Sequence, residues 1–534
     1  MVKGANGNPD AGLRSLDHYR NRLPQWRYVP RQKLLPLVRY ETPYLAWFQE
    51  KIRTPTLDSY FAFTANLGTH TFFMIFLPML FWSGYTNLGR GFVQVLASGV
   101  FFSGFIKDLL CLPRPLSPPL QRITMSGSAA LEYGFPSTHS TNAVSVAIYV
   151  LTLLNSPEST LSSHVNLIFQ CMTYTYVCSI VLGRLYCGMH GFLDVIIGCL
   201  LGASITFVQN LYGPLLDDYV FSASGKQIAL VVLVIIILVR IHPEPADDCP
   251  CFDDSVAFAG VIIGVQLGCW HFAKSSIAWS EPSPATIPFR YKDLGLVKTA
   301  LRFVLGVLLI FTWREVMKPL LLRTLPPIFR ALEKLGLLLP RRFFTRASQY
   351  KTVPAYLKDH EVLPSFADIP SILTNIRHPR RRAVSIGPQS EADAYETMAY
   401  REKRRRESLS NKAHNYSVAE DDGDAADVSV SGTQPSKSAR KQSKWDEYEH
   451  MMGTGISRHS PGAIAAIDRE PSTEPFPAYE EEKEPNLTEV FSQVKKPRVR
   501  YDVEVVTKLV VYSGIAWVTI EGAPIVFDKV GLGL

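Results

Sequence analysis

Long apolar runs alternate with short polar interruptions from residue 59 to about 320, after which the chain turns polar. The apolar runs fall at Phe61–Trp82, Phe92–Ile106, Ser140–Leu154, Val165–Gly183, Phe192–Val208, Ile228–Val239, Val256–Trp270 and Val297–Phe311. A helix needs roughly 20 apolar residues to cross a hydrocarbon core of about 30 Å, and Tyr, Trp, Lys and Arg flanking the shorter runs suit the headgroup layer. The pattern predicts an all-α, polytopic membrane helix bundle of about eight transmembrane helices. From about 377 to 496 the chain has few aromatics, charge blocks such as Arg401 to Arg406, and scattered Ser and Pro, the composition of a long disordered tail. A last apolar run, Val506–Ile520, contains Lys508 and fits either a ninth crossing or a packed or interfacial helix.

These shifts divide the chain into a basic N-terminal region (1–58), a membrane core (59–212), additional transmembrane helices (213–320), a mostly disordered charged tail (321–500) and an apolar C-terminal segment (501–534). The net charge of +7 comes from local basic runs beside the spans, which suits anionic headgroups. No aromatic-plus-basic motif points to nucleic acid, and nothing assigns a protein partner. The first 30 residues are polar and basic, so no cleavable signal is expected. The eight cysteines form no metal or disulfide framework at recognised spacing; Cys249 and Cys251 are two apart with no second pair.

Three polar clusters interrupt the apolar pattern, each at a span boundary. The first runs from Lys107 to Pro115 and contains Arg114; the second is Pro136-Ser137-Thr138-His139; the third runs from Gly183 to Asp194 and contains Arg184 and His190. The first two share one connection, and two crossings later the third lies on the same side of the bilayer. All three therefore converge on one interfacial pocket. Singly, each has a plain structural reading: a Lys or Arg at a span end is an anchor, and a lone His is a cap. Jointly they assemble a phosphoryl-transfer site, because ionisable groups at membrane depth are costly, about 2.5–3.5 kcal/mol each on insertion scales.

Lys107, Arg114 and Arg184 balance a phosphate dianion, the guanidinium groups binding its oxygens in pairs. Ser137 adds a hydroxyl, and the backbone donors near Thr138 and His139 open a helix where an anion is favoured. His190 and Asp194 are four apart, so on a helix the carboxylate reaches the imidazole and fixes its tautomer. His190 is then the nucleophile and His139 the acid that protonates the leaving alkoxide. This chemistry calls for no metal and no cofactor.

These clusters resemble the three signature motifs of the type 2 phosphatidic acid phosphatase (PAP2) superfamily, K-x6-R-P, P-S-G-H and S-R-x5-H-x3-D. Lys107, Arg114 and Pro115 satisfy the first. Thr138 stands where Gly is usual in the second, and Gly183 where Ser is usual in the third. Cys111-Leu112-Pro113 before the Arg114-Pro115 pair and Glu132-Tyr133-Gly134 before the second motif look like the sphingosine-1-phosphate phosphatase branch, whose fungal members are dihydrosphingosine 1-phosphate phosphatases. The resemblance implies a phosphohistidine at His190, metal-independent hydrolysis of a long-chain-base 1-phosphate, and an endoplasmic reticulum membrane location.

Another lipid phosphate, such as phosphatidate or a polyisoprenyl diphosphate, would use the same residues. A membrane scaffold with a vestigial pocket predicts missing motif residues, yet all are present. A transporter predicts charges mid-span, whereas these cluster at one interface. The basic N-terminal residues, Arg27, Arg31 and Arg39 among them, share the site's face and by the positive-inside tendency assign it to the cytosol. The resemblance implies the lumenal face instead.

Overall fold

The computed structural model describes residues 12, 16–66, 70–117, 120, 122–123, 132–157, 161–247, 249–337, 344–353 and 500–533. Among these there is no β-strand, only two isolated bridges. The helices are α1 (Leu16–Arg22), α2 (Gln25–Ile52), α3 (Pro55–Asn66), α4 (His70–Trp82), α5 (Thr86–Leu110), α6 (Thr138–Leu154), α7 (Ser163–Tyr186), α8 (Phe192–Ser222), α9 (Gly225–Ile241), α10 (Cys251–Phe272), α11 (Tyr291–Lys334), α12 (Val503–Trp517) and α13 (Ala523–Lys529). A π-helical turn, Val518–Gly522, joins the last two into one rod.

Among the described residues six helical rods are long and apolar enough to cross a bilayer: α5, α7, α8, α10, α11 and Val503–Lys529. Eight crossings were expected from the sequence. The difference arises because hydropathy windows do not register where helices stop. The expected Phe61–Trp82 span is two helices, α3 and α4, and the apolar helices Phe72–Trp82 and α6 are shorter than a full crossing. α9 has 17 residues. The boundary drawn at 320 falls inside α11, which continues to Lys334. Most of the expected tail, including residues 354–499, lies outside the described residues.

The bundle has two parts that share α5. On one side α6, α7 and α8 gather around it; on the other, α4, α10, α11 and the C-terminal rod bury a core containing Phe81, Trp82, Val95, Val265, Ile515 and Phe527. The C-terminal rod is thus not an appendage. Gly260, Gly264 and Gly268 form a stripe along α10 that faces it, and a Cβ at Gly260 would stand 2.9 Å from the Leu509 carbonyl oxygen. Small residues at this spacing let two helix backbones approach closely in lipid. Lys508, the residue that complicated the sequence reading, pairs with Asp253 of α10 at 2.9 Å.

α2 is the largest departure from expectation. The region read as basic and topogenic is a 28-residue helix lying along the face where the polar clusters meet. Arg27, Arg31, Leu35, Val38, Thr42, Leu45 and Gln49 are buried at spacings of three or four, one helix face. Trp26, Leu37, Tyr40, Tyr44 and Trp47 are exposed on the other, the composition of a helix in the headgroup layer. Arg27 donates to the carbonyls of Asp108, Leu109 and Glu244, and Arg31 to those of Gly12 and Cys111. These guanidinium groups hold the protein's own backbone.

Cys249 and Cys251 are joined by a disulfide, which the sequence spacing had not suggested. Their sulfurs and Asp108 form a cluster of three potential metal ligands, but the S–S bond occupies two of the three.

Candidate active site

The three polar clusters do meet. α5 ends at Leu110 because Cys111 takes a left-handed conformation and returns its N–H to the Lys107 carbonyl. The chain then turns back, and Arg114 reaches the loop between α7 and α8. Its Nη1 donates to the Met189 carbonyl at 2.9 Å and to His190 Nε2 at 3.2 Å. The second cluster abuts the third through its backbone: Ser137 N–H donates to the Asp194 carbonyl at 3.0 Å. Gly134 N–H donates to the Leu112 carbonyl, joining the second cluster to the first. A Cβ at Gly134 would lie 2.7 Å from the Pro113 carbonyl oxygen, so this crossing requires glycine.

Two partners with single roles fix the tautomer of His190. A guanidinium only donates, so Nε2 accepts from Arg114; a carbonyl only accepts, so Nδ1–H donates to Gly134 O at 2.9 Å. Asp194 was expected to do this work. Its Oδ2 stands 3.6 Å from Nδ1 and instead accepts the Gly191 N–H at 2.9 Å. The physical reason is helix capping: Asp194 occupies the third position of α8, where a carboxylate turns back to the unpaired N–H groups of the first turn. It remains close enough to stabilise a positive imidazole electrostatically.

His190 is buried, and burial first, then Arg114, Lys107, Arg184 and His139, hold its pKa well below the usual histidine value. The imidazole is therefore neutral, with a lone pair on Nε2 directed at a guanidinium. His139 contributes to this field, which puts it in electrostatic reach of His190. Arg184 is buried, and its Nε has no hydrogen-bond partner among the described residues. A buried guanidinium donor in that state is suited to an incoming anion.

The two small polar residues of the second cluster depart from expectation. Ser137 caps α6, its hydroxyl accepting from the Ser140 N–H and the Ser140 hydroxyl. Thr138 accepts a hydrogen bond from Ser103 of α5 at 2.9 Å. The Ser137 hydroxyl is engaged within α6, whereas the Thr138 hydroxyl ties α6 to α5, beside the start of α6 where an anion is favoured. At Gly183, a Cβ would stand 3.0 Å from the Phe61 ring, so a larger side chain there would press on α3.

Sequence reasoning missed several groups. Glu132 was quoted only as part of a string, yet its carboxylate lies 2.9 Å from Arg114 Nη2 and 3.5 Å from Lys107 Nζ. Arg122 adds a buried cation near Arg114, donating to the Pro115 carbonyl. From α2, Glu41 accepts the Leu193 N–H at 3.1 Å, and Gln49 donates to the Tyr186 carbonyl at 2.8 Å. With Arg27 and Arg31 on the end of α5, this helix straps three of the four site-bearing helix ends, those of α5, α7 and α8. The signal available was the three-and-four spacing of its buried positions, obscured by Pro30, Pro36 and Pro43.

A family model described as PAP2 superfamily matches residues 88–214. Dihydrosphingosine 1-phosphate phosphatase C823.11 of Schizosaccharomyces pombe is 41% identical over 326 residues, covering 60% of this chain and 77% of the relative. Dihydrosphingosine 1-phosphate phosphatase YSR3 of Saccharomyces cerevisiae is 34% identical over 319 residues, 59% and 76% of the two chains. Sphingosine-1-phosphate phosphatase 2 of Mus musculus is 30% identical over 302 residues, 54% of this chain and 82% of the relative. No solved structure matches the chain significantly.

Proposed function

Because this chain belongs to the PAP2 superfamily, in its branch of sphingoid-base phosphate phosphatases, we propose that it is a metal-independent enzyme of the endoplasmic reticulum membrane that hydrolyses long-chain-base 1-phosphates through His190. The observation that carries the site assignment is the hydrogen-bonded chain from Gly134 O through His190 to Arg114, which leaves a neutral imidazole with its nucleophilic nitrogen on the guanidinium.

In the proposed reaction Lys107, Arg114 and Arg184 hold the phosphate dianion, with backbone N–H groups at the start of α6 behind it. Nε2 attacks phosphorus, the P–O bond to the lipid breaks, and His139 gives its proton to the departing alkoxide. Asp194 stabilises the charge that develops on the imidazole. Water then attacks the phosphohistidine, His139 takes its proton, the P–N bond breaks and inorganic phosphate leaves. The lipid tail stays in the bilayer throughout, which fits clusters at helix ends.

The direct test is phosphate release from dihydrosphingosine 1-phosphate by the purified chain in detergent–lipid micelles containing EDTA. Release at an undiminished rate is expected, since three side-chain cations take the role a metal would otherwise fill. Loss of activity restored by a divalent ion refutes the metal-free reading. The pH profile gives a second test. With the His190 pKa held below its usual value, the nucleophile stays unprotonated as pH falls through 6.5, the ordinary histidine value. The acid limb of kcat/KM is therefore expected below 6.5. A limb at or above 6.5 that stays in place when the phosphate's own ionisation is shifted with a substrate of different second pKa contradicts a buried neutral nucleophile.

A further inference from the structure

Glu132 is an anion placed between two of the cations assigned to the substrate's phosphate. Its Oε2 is 2.9 Å from Arg114 Nη2 and 3.5 Å from Lys107 Nζ. Its side chain is 30% exposed, whereas those of Lys107 and Arg114 are 5% exposed, so the carboxylate sits at the mouth and the cations behind it. The backbone at this point is fixed from both sides. Arg114 Nε donates to the Glu132 carbonyl at 3.2 Å. The next residue, Tyr133, is buried, and its hydroxyl is bonded to Asp247, which also accepts from Tyr19 at 2.8 Å.

Phosphate and this carboxylate compete for the same two cations. A phosphate on Nε2 of His190 displaces the carboxylate outward, because the tethered backbone leaves the side chain to turn toward the exposed side. That exposed side is the mouth of the site, from which the lipid's carbons would approach. A carboxylate beside a phosphate dianion is repelled unless a cation arrives with the substrate. In a long-chain-base 1-phosphate the carbon adjacent to the phosphate-bearing carbon carries an ammonium group. Phosphatidate and polyisoprenyl phosphates carry none there.

We propose that Glu132 is the residue that selects the free amine of the substrate: its carboxylate pairs with the ammonium of the long-chain base and disfavours lipid phosphates that lack it. This rests on the function proposed above and names what makes that site specific. One residue then does both halves of the discrimination, attracting the amine-bearing lipid and repelling its uncharged analogues. The Lys107–Arg114 pair provides general affinity for phosphate.

The test uses the full-length chain in micelles with two substrates that differ only at nitrogen: dihydrosphingosine 1-phosphate and its N-acetyl derivative. The unmodified protein is expected to favour the free amine in kcat/KM by about tenfold or more, the scale of a charge-assisted pair. In Glu132→Gln that preference is expected to collapse toward unity from both sides, by a rise in KM for the free-amine lipid and a gain in kcat/KM on the N-acetyl lipid. Glu132→Asp, which keeps the charge, is expected to retain the preference. Equal loss on both lipids in Glu132→Gln, with preference intact, overturns the proposal and makes Glu132 a support for Arg114. Equal hydrolysis of the two lipids by the unmodified protein also overturns it, whether or not any variant folds, and leaves the phosphatase reading standing. A protein that hydrolyses neither lipid, or hydrolyses phosphatidate alone, overturns both.

Discussion

Alanine at His190 abolishes phosphate release, with kcat expected to fall on the order of 10³-fold or more, because no other group stands at the position of attack. Arg114 also loses the acceptor it donates to, but keeps the Met189 carbonyl and Glu132 as partners, so the loop should hold its shape. The imidazole is buried and makes two hydrogen bonds, hence a stability loss of roughly 1–3 kcal/mol is expected beside the chemical effect. A melting curve separates the two contributions. The decisive measurement is covalent labelling: protein quenched during turnover of radiolabelled substrate should carry phosphate that survives alkali and is lost in acid, the behaviour of phosphohistidine. His190→Ala should carry none. Label retained in that variant, or turnover within tenfold of the unmodified enzyme, removes His190 from the mechanism.

The second large effect lies far from the chemistry. At Gly264 even a methyl group would overlap the Ser513 carbonyl oxygen and crowd Ala516. Gly264→Leu therefore forces α10 and α12 apart, since neither obstacle is the end of a flexible side chain. Overpacking of this kind costs typically 1–3 kcal/mol where neighbours adjust, and here backbone would have to move. We expect the variant to lose monodispersity in detergent, or to melt at least 10 °C lower if it is recovered. Gly225→Leu provides the control, since a Cβ there meets nothing within 4 Å. Equal melting temperatures for the two variants refute the close helix contact.

What could be read in the sequence follows a physical rule. Lys107, Arg114, Arg184, His190 and Asp194 were legible because each is an ionisable residue at the edge of an apolar run, where its cost demands a reason. Glu41, Gln49 and Arg27 were not, because their partners are backbone atoms of Leu193, Tyr186 and Leu109, far along the chain and without a letter of their own. The same holds for Gly134, whose carbonyl took over the orienting role assigned to Asp194. In the N-terminal region charge was the visible signal, and the spacing of its buried positions is what marks the helix. Helix ends were also beyond reach, since Ser137 and Cys111 set limits that average hydropathy does not contain.

The glycine stripe on α10 also bears on how the molecule is made. Its partner leaves the ribosome after every other described helix, separated from α11 by residues 335–502. Until then the trough on α10 faces lipid or a chaperone, so the bundle completes itself only once the final segment threads home. A stop codon shortly before Val503 should therefore yield an incomplete bundle, with its nucleophile encoded but its far wall missing.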